Sequence, residues 1–214
     1  MKKKIIMLVV GMMLISASAF ADSFEFWTID SVKGKIADQI GIKLENEMKF
    51  GTVNGFVYDH LDFGISYDAA QWLTIGIAER YVWDFKPTAK GKVTSSFHAP
   101  HIDAKLKFKT DSFDISDNNR FQYEFSSVAN PMYRNKLSIA YPIKGDSVSF
   151  APFAAEEMFI SFTSKGFYRI RAWVGSEFMF EGAKFLKTQL YFSEEFNFEK
   201  TNISRVGLDF EFSI

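Results

Sequence analysis

Two short patterns in this chain could do chemistry, His60-x-Asp62 and His101-x-Asp103. A strand sends residues i and i+2 to the same face, so each pattern sets an imidazole and a carboxylate on one surface, roughly 7 Å apart. A carboxylate so placed can orient the imidazole as a general base, and the same donor types suit zinc. Neither chemistry is complete. Ser66 shares a face with His60 but lies roughly 20 Å along the strand, and Ser95 and Ser96 fall in a long link. An intervening strand spaces the two patterns by about 9–10 Å, which argues against one shared metal site. Glu156-Glu157 is no acid/base pair either, because adjacent strand residues point to opposite faces. No enzyme, no catalytic residue, no metal site and no cofactor is therefore expected.

The elements that must carry these residues are strands. Ile40, Ile42, Leu44, Met48 and Phe50 alternate with Gly41, Lys43, Glu45, Glu47 and Lys49, giving one apolar and one charged face. The same period recurs through Leu61–Tyr67, Leu73–Ile77, Ile102–Phe108, Phe121–Phe125, Leu137–Tyr141, Val148–Met158, Tyr168–Val174, Leu186–Phe192 and Val206–Ile214. Long alternating strands rich in aromatics are what an outer-membrane β-barrel requires. The fold class expected is all-β: a transmembrane antiparallel up-and-down barrel of about ten strands. The segment Phe24–Lys33 is an eleventh strand-like stretch that starts on the wrong side for an even-numbered barrel, which leaves it the lumen, the periplasm or pairing with a twelfth strand. Short connections near Asp68, Thr110, Lys144 and Glu181 mark one rim, and longer links at Asp84–Ala99 and Ser126–Met132 mark the other. Short periplasmic turns and longer outer loops would assign the sides.

The N-terminus supports secretion. Lys2, Lys3 and Lys4 precede an apolar run, and Ala19-Phe20-Ala21 offers small residues for cleavage, the layout of a signal peptide over residues 1–21. Residues 22–214 then form one domain. The chain has no cysteine, and removing three of its 25 basic residues leaves it acidic against 26 Asp and Glu. That excludes disulfides and argues against a nucleic-acid binder. The partners expected are outer-membrane lipid, lipopolysaccharide and the barrel-assembly machinery, with the protein a monomer.

If the apolar faces meet lipid, the opposite faces line a lumen. His60, Asp62, Arg80, His101 and Asp103 should lie toward its outer end, joined by Glu124, Arg134, Glu157, Arg169, Arg171 and Arg205, with Arg120 nearer the middle. Below them come Gly64, Ser66, Thr74, Gly76, Ala78, Ser138, Ala140, Ala151, Gly175 and Gly207. The expected interior is crowded with charge in its outer half and roomier beneath.

Over nearly its whole mature length the chain resembles domain-of-unknown-function family 2490, outer-membrane β-barrels of Gram-negative bacteria. The resemblance rests on Phe26-Trp27-Thr28, Tyr58-Asp59-His60-Leu61-Asp62-Phe63-Gly64-Ile65-Ser66-Tyr67, Trp72-Leu73-Thr74-Ile75-Gly76, Arg80-Tyr81 and Asp117-Asn118-Asn119-Arg120-Phe121-Gln122-Tyr123. Tyr133-Arg134-Asn135-Lys136-Leu137, Ala151-Pro152-Phe153 and Glu157-Met158-Phe159 complete it. It implies fold and compartment and no activity. The functional expectation is a narrow channel or solute-binding barrel with a charged outer lumen. The alternatives are a structural barrel with a plugged lumen or, third, a lipid-modifying enzyme.

Overall fold

A computed structural model describes residues 23–88, 91–126, 129–163, 166–198 and 202–214. The expected signal peptide lies outside the described residues. Twelve strands follow in order: β1 (Ser23–Ala37), β2 (Ile40–Gly51), β3 (Gly55–Ala70), β4 (Leu73–Thr88), β5 (Gly91–His98), β6 (His101–Lys109), β7 (Asp114–Glu124), β8 (Asn130–Ala140), β9 (Val148–Ser161), β10 (Gly166–Phe180), β11 (Leu186–Asn197) and β12 (Ile203–Ser213). Sequence neighbours pair antiparallel around the wall, and β3 and β4 complete the circuit.

The closed ring has eleven strands with β5 outside it, one more than the ten read from Gln39 onward. The extra member is β1, the segment that an even-numbered barrel could not place. It enters the wall by pairing in parallel with β12, Ser23 opposite Ile203 through Lys33 opposite Ser213. One parallel seam removes the parity constraint, because the first and last strands now run the same way.

The link Asp84–Ala99, expected as a longer connection, carries strand on both sides of residues 89–90. β4 runs on to Thr88 and β5 returns along it. β5 and β6 keep a single register on β4, Tyr81 opposite His98 and Ala78 opposite His101. They are one line broken at Ala99-Pro100, where proline has no N–H to give. The result is a hairpin that projects past one rim. Gly55, Gly91 and Gly166 begin strands at that rim with φ of +63°, +122° and +56°, a conformation that side chains other than glycine rarely adopt.

The wall is apolar outside and polar inside. Leu61, Phe63, Ile65 and Tyr67 of β3 are exposed, whereas His60 and Asp62, which alternate with Leu61 and Phe63, are buried. Exposed aromatics gather at both rims: Tyr67, Trp72, Phe108, Phe113 and Tyr141 at one, and Phe24, Phe50, Tyr81, Phe125 and Phe167 at the other. A soluble barrel would put its apolar side chains inward, so this inversion with aromatic girdles is the pattern hydrocarbon surroundings demand.

Inside, Trp27, Trp173 and Tyr191 form the only cluster of buried aromatics among the described residues. Tyr191 lies across glycine: a Cβ built at Gly207 would come 2.0 Å from its ring, and one at Gly175 would come 2.7 Å from its Cβ. The space expected beside Gly175 and Gly207 is therefore filled by a tyrosine ring. Gly64, Ser66, Gly76 and Ala78 do line open space, a cavity of about 440 Å³.

Candidate functional site

The buried charges form a collar at one level of the lumen, and cross-strand register assembles it. Asp62 stands opposite Arg80 on β3 and β4, and Asp103 stands opposite Arg120 on β6 and β7. Arg80 donates from Nε and Nη2 to Asp62 Oδ2 at 3.0 and 2.7 Å. Arg120 forks onto both Asp103 oxygens at 2.7 and 2.9 Å. His101 falls in a row with Gly64 and Ala78, so nothing bulky stops its ring reaching across β4. Its Nε2 lies 3.6 Å from Asp62 and 3.6 Å from Asp103. Backbone spacing separates the two His-x-Asp patterns, but the His101 imidazole spans the gap.

On the opposite arc the ion pairs run as a chain. Glu157, fully buried, receives Arg134 and, at 2.9 Å, Arg171 Nη1. Arg171 also donates to Glu195 at 3.1 and 2.6 Å. Arg205 links Glu195 at 3.1 Å to Glu25 at 2.8 Å, and Arg169 approaches Glu195 at 3.6 Å. Aromatic rings fill the spaces between. The Arg171 guanidinium lies 4.8 Å from Trp27 and 5.2 Å from both Trp173 and Phe159. Arg205 lies 4.4 Å from Trp27, and Arg169 lies 3.7 Å over Phe159. Aromatic faces are favourable neighbours for a desolvated cation.

Between the arcs stand Glu45, Glu47 and Lys49 of β2. Glu45 takes Lys43, Glu47 takes Lys49 at 2.8 Å, and both carboxylates face His60 at 3.7 and 3.9 Å. Glu45, His60 and Asp62 each offer a donor atom within 4.8 Å of the others, a set able to hold a metal ion.

Eleven of the twelve ionisable residues expected to line the lumen thus meet in one collar: His60, Asp62, Arg80, His101, Asp103, Arg120, Arg134, Glu157, Arg169, Arg171 and Arg205. Arg120, placed nearer the middle by sequence, belongs to the ring itself. Glu124 differs: its partners are Gln122 at 3.3 Å and Asn130 at 3.2 Å. The missed members are Glu25, Glu45, Glu47, Lys49 and Glu195, with Trp27 and Trp173. Glu195 and Trp173 were legible by phase, since Phe192, Phe196, Ala172 and Val174 face outward. Glu25 and Trp27 were not, because nothing in the sequence placed β1 in the wall.

A cavity of about 450 Å³ passes the collar, bounded by Tyr58 and Glu124 toward the hairpin rim and by Ala140 and Glu177 toward the other. It shares Lys43, Lys105, Asn118 and Arg120 with the cavity beside Gly64 and Gly76.

Comparison with known proteins bears on the fold. A family model described as "Protein of unknown function (DUF2490)" matches residues 24–206. Among solved structures, the chain is similar to the crystal structure of the beta domain of the Bordetella autotransporter Brka. The TM-score is 0.50 at 11% sequence identity, over 80% of this chain and 78% of that one; at that identity the likeness speaks for the barrel alone. No curated protein matches the chain.

Proposed function

The chain belongs to the DUF2490 family of proteins of unknown function, and from that premise and the lumen geometry we propose that it is an outer-membrane barrel whose charged collar admits or binds a small polar solute. The observation that carries this reading is the cavity of about 450 Å³ that runs past the collar instead of ending at it. Space bordered by arginine, lysine and glutamate is wet space, and charged rings around a constriction select among ions and small solutes. The outer-membrane location rests on the apolar exterior and its two aromatic girdles. Lipid and lipopolysaccharide are then its surroundings, and the barrel-assembly machinery inserts it. A signal peptide cleaved after Ala21 delivers it, and it acts as a monomer without catalysis.

Single-channel recording of the refolded protein in a planar bilayer tests the proposal. Discrete ion-selective steps are expected, with Arg80→Ala and Arg134→Ala changing step size or ion preference. A silent bilayer with demonstrably inserted protein would mean a plugged, structural lumen.

A further inference from the structure

We propose that Glu45, His60 and Asp62 form a site for a divalent transition-metal ion of the zinc class on the lumen wall between β2 and β3, with His101 as a further donor beside it. The inference goes beyond solute passage and does not require that the barrel conduct.

The site is built on paired strands. Glu45 stands opposite Asp62 in the β2–β3 ladder, and His60 precedes Asp62 by two residues on the same face. Donor atoms of the three residues lie within 4.8 Å of one another, and His60 Nε2 is 3.7 Å from Glu45 Oε1. Tetrahedral zinc with bonds of about 2.0–2.1 Å holds its N and O ligands about 3.4 Å apart. Small side-chain movements would close the set, with no change in the backbone.

The histidines supply the second observation. His60 is 1% exposed, its Nδ1 is engaged by the Tyr58 hydroxyl at 3.1 Å, and its buried Nε2 has no hydrogen-bond partner. His101 is 4% exposed, and its Nδ1 lies 3.3 Å from the Ala99 carbonyl, which can only accept. With Nδ1 donating to that carbonyl, Nε2 turns a lone pair without a hydrogen-bond partner toward the Asp62 and Asp103 carboxylates. A lone pair facing carboxylates with no proton between them is repulsive, and a cation is what the arrangement fits. Metal-binding imidazoles are held in this way, one ring nitrogen fixed by a neighbour and the other left for the ion.

The surrounding charges narrow the class. Lys43 pairs with Glu45 through Oε2, leaving Oε1 toward His60. Arg80 bonds Asp62 Oδ2, and Arg120 stands 3.9 Å from that oxygen. These cations weaken any purely electrostatic hold, which disfavours calcium and magnesium with their all-oxygen shells. An ion that gains from imidazole nitrogen, such as zinc, cobalt, nickel or copper, is favoured.

The test uses the untagged, refolded full-length barrel in micelles, stripped with chelator and titrated with cobalt, then zinc. The chain has three histidines, and His98 pairs with Glu79 at 3.1 Å well apart from Glu45, so it serves as control. Expected are one equivalent of metal, visible cobalt bands of a low-coordinate site, and affinity weakened about tenfold or more by His60→Gln or Glu45→Gln, with His98→Gln unchanged. X-ray absorption of zinc-loaded wild type should show an imidazole in the first shell, which decides the matter even if variants misfold. Wild type binding less than stoichiometric metal, zinc without imidazole, or full binding by a His60→Gln/His101→Gln double variant would overturn the proposal.

Discussion

On the arc of the collar built from β8 to β12 and β1, arginines lie against tryptophan and phenylalanine rings and share fully buried carboxylates. On the arc from β3 to β7, the charges face histidines, glycine and alanine, and open space. Both arcs meet the same requirement, that a charge removed from water be paired. They differ in what surrounds the pairs. Where aromatic bodies pack between the charges, the ion pairs act as internal bracing. Where small residues leave a cavity, the His101 imidazole, its Nε2 without a hydrogen-bond partner, stands beside open space and is available to something that enters. One arc reads as framework and the other as the working surface.

That contrast breaks most sharply at Glu157. Glu157→Ala leaves Arg134 and Arg171 facing each other without their shared anion, and removing one partner of a buried pair costs about 3–5 kcal/mol. Urea unfolding in micelles, followed by tryptophan fluorescence, should show that loss. Arg80→Ala should cost less, about 1.5–3 kcal/mol, the range for hydrogen bonds to charged groups, because Arg120 and His101 remain near Asp62 beside a cavity. If Arg80→Ala proves as damaging as Glu157→Ala, the two arcs are equally structural.

Gly207→Ala tests the framework from its packing. The added methyl would collide with the Tyr191 ring, and overpacking costs about 1–3 kcal/mol. The double variant Gly207→Ala/Tyr191→Ala should be less unstable than the two single losses summed, since the clash is then gone. The smallest stability effect belongs to Lys105, which lines both cavities and has no ion pair among the described residues. Lys105→Glu should change stability by no more than about 0.5 kcal/mol, while shifting any measured ion preference toward cations.

Much of this was readable beforehand because strand phase is local. Alternation alone put His60, Asp62, Arg80, Arg120 and Glu157 on the lumen face, and the structure finds them there. What phase does not carry is pairing between distant segments. β1 shows the same alternation as its neighbours, yet only its register with β12 brings Glu25 and Trp27 into the collar. Side-chain reach is similarly invisible: whether His101 meets Asp62 depends on Ala78 and Gly64 being small, a fact of three strands read together. The filling of the glycine gap by Tyr191 is another case, since its buried position follows from phase but its lean over Gly207 does not.

The parallel seam has a consequence for how the chain must be threaded. Ser23 and Ser213 lie at opposite rims, and the amide of Ile214 donates to the Lys33 carbonyl at 2.9 Å, so the last residues lock onto the far end of the first strand. A fragment lacking either strand lacks the parallel seam that closes this eleven-stranded ring. The seam is a single latch between the first and the last strand of the wall. An epitope fused ahead of Ser23 and one fused after Ile214 would stand on opposite sides of the bilayer.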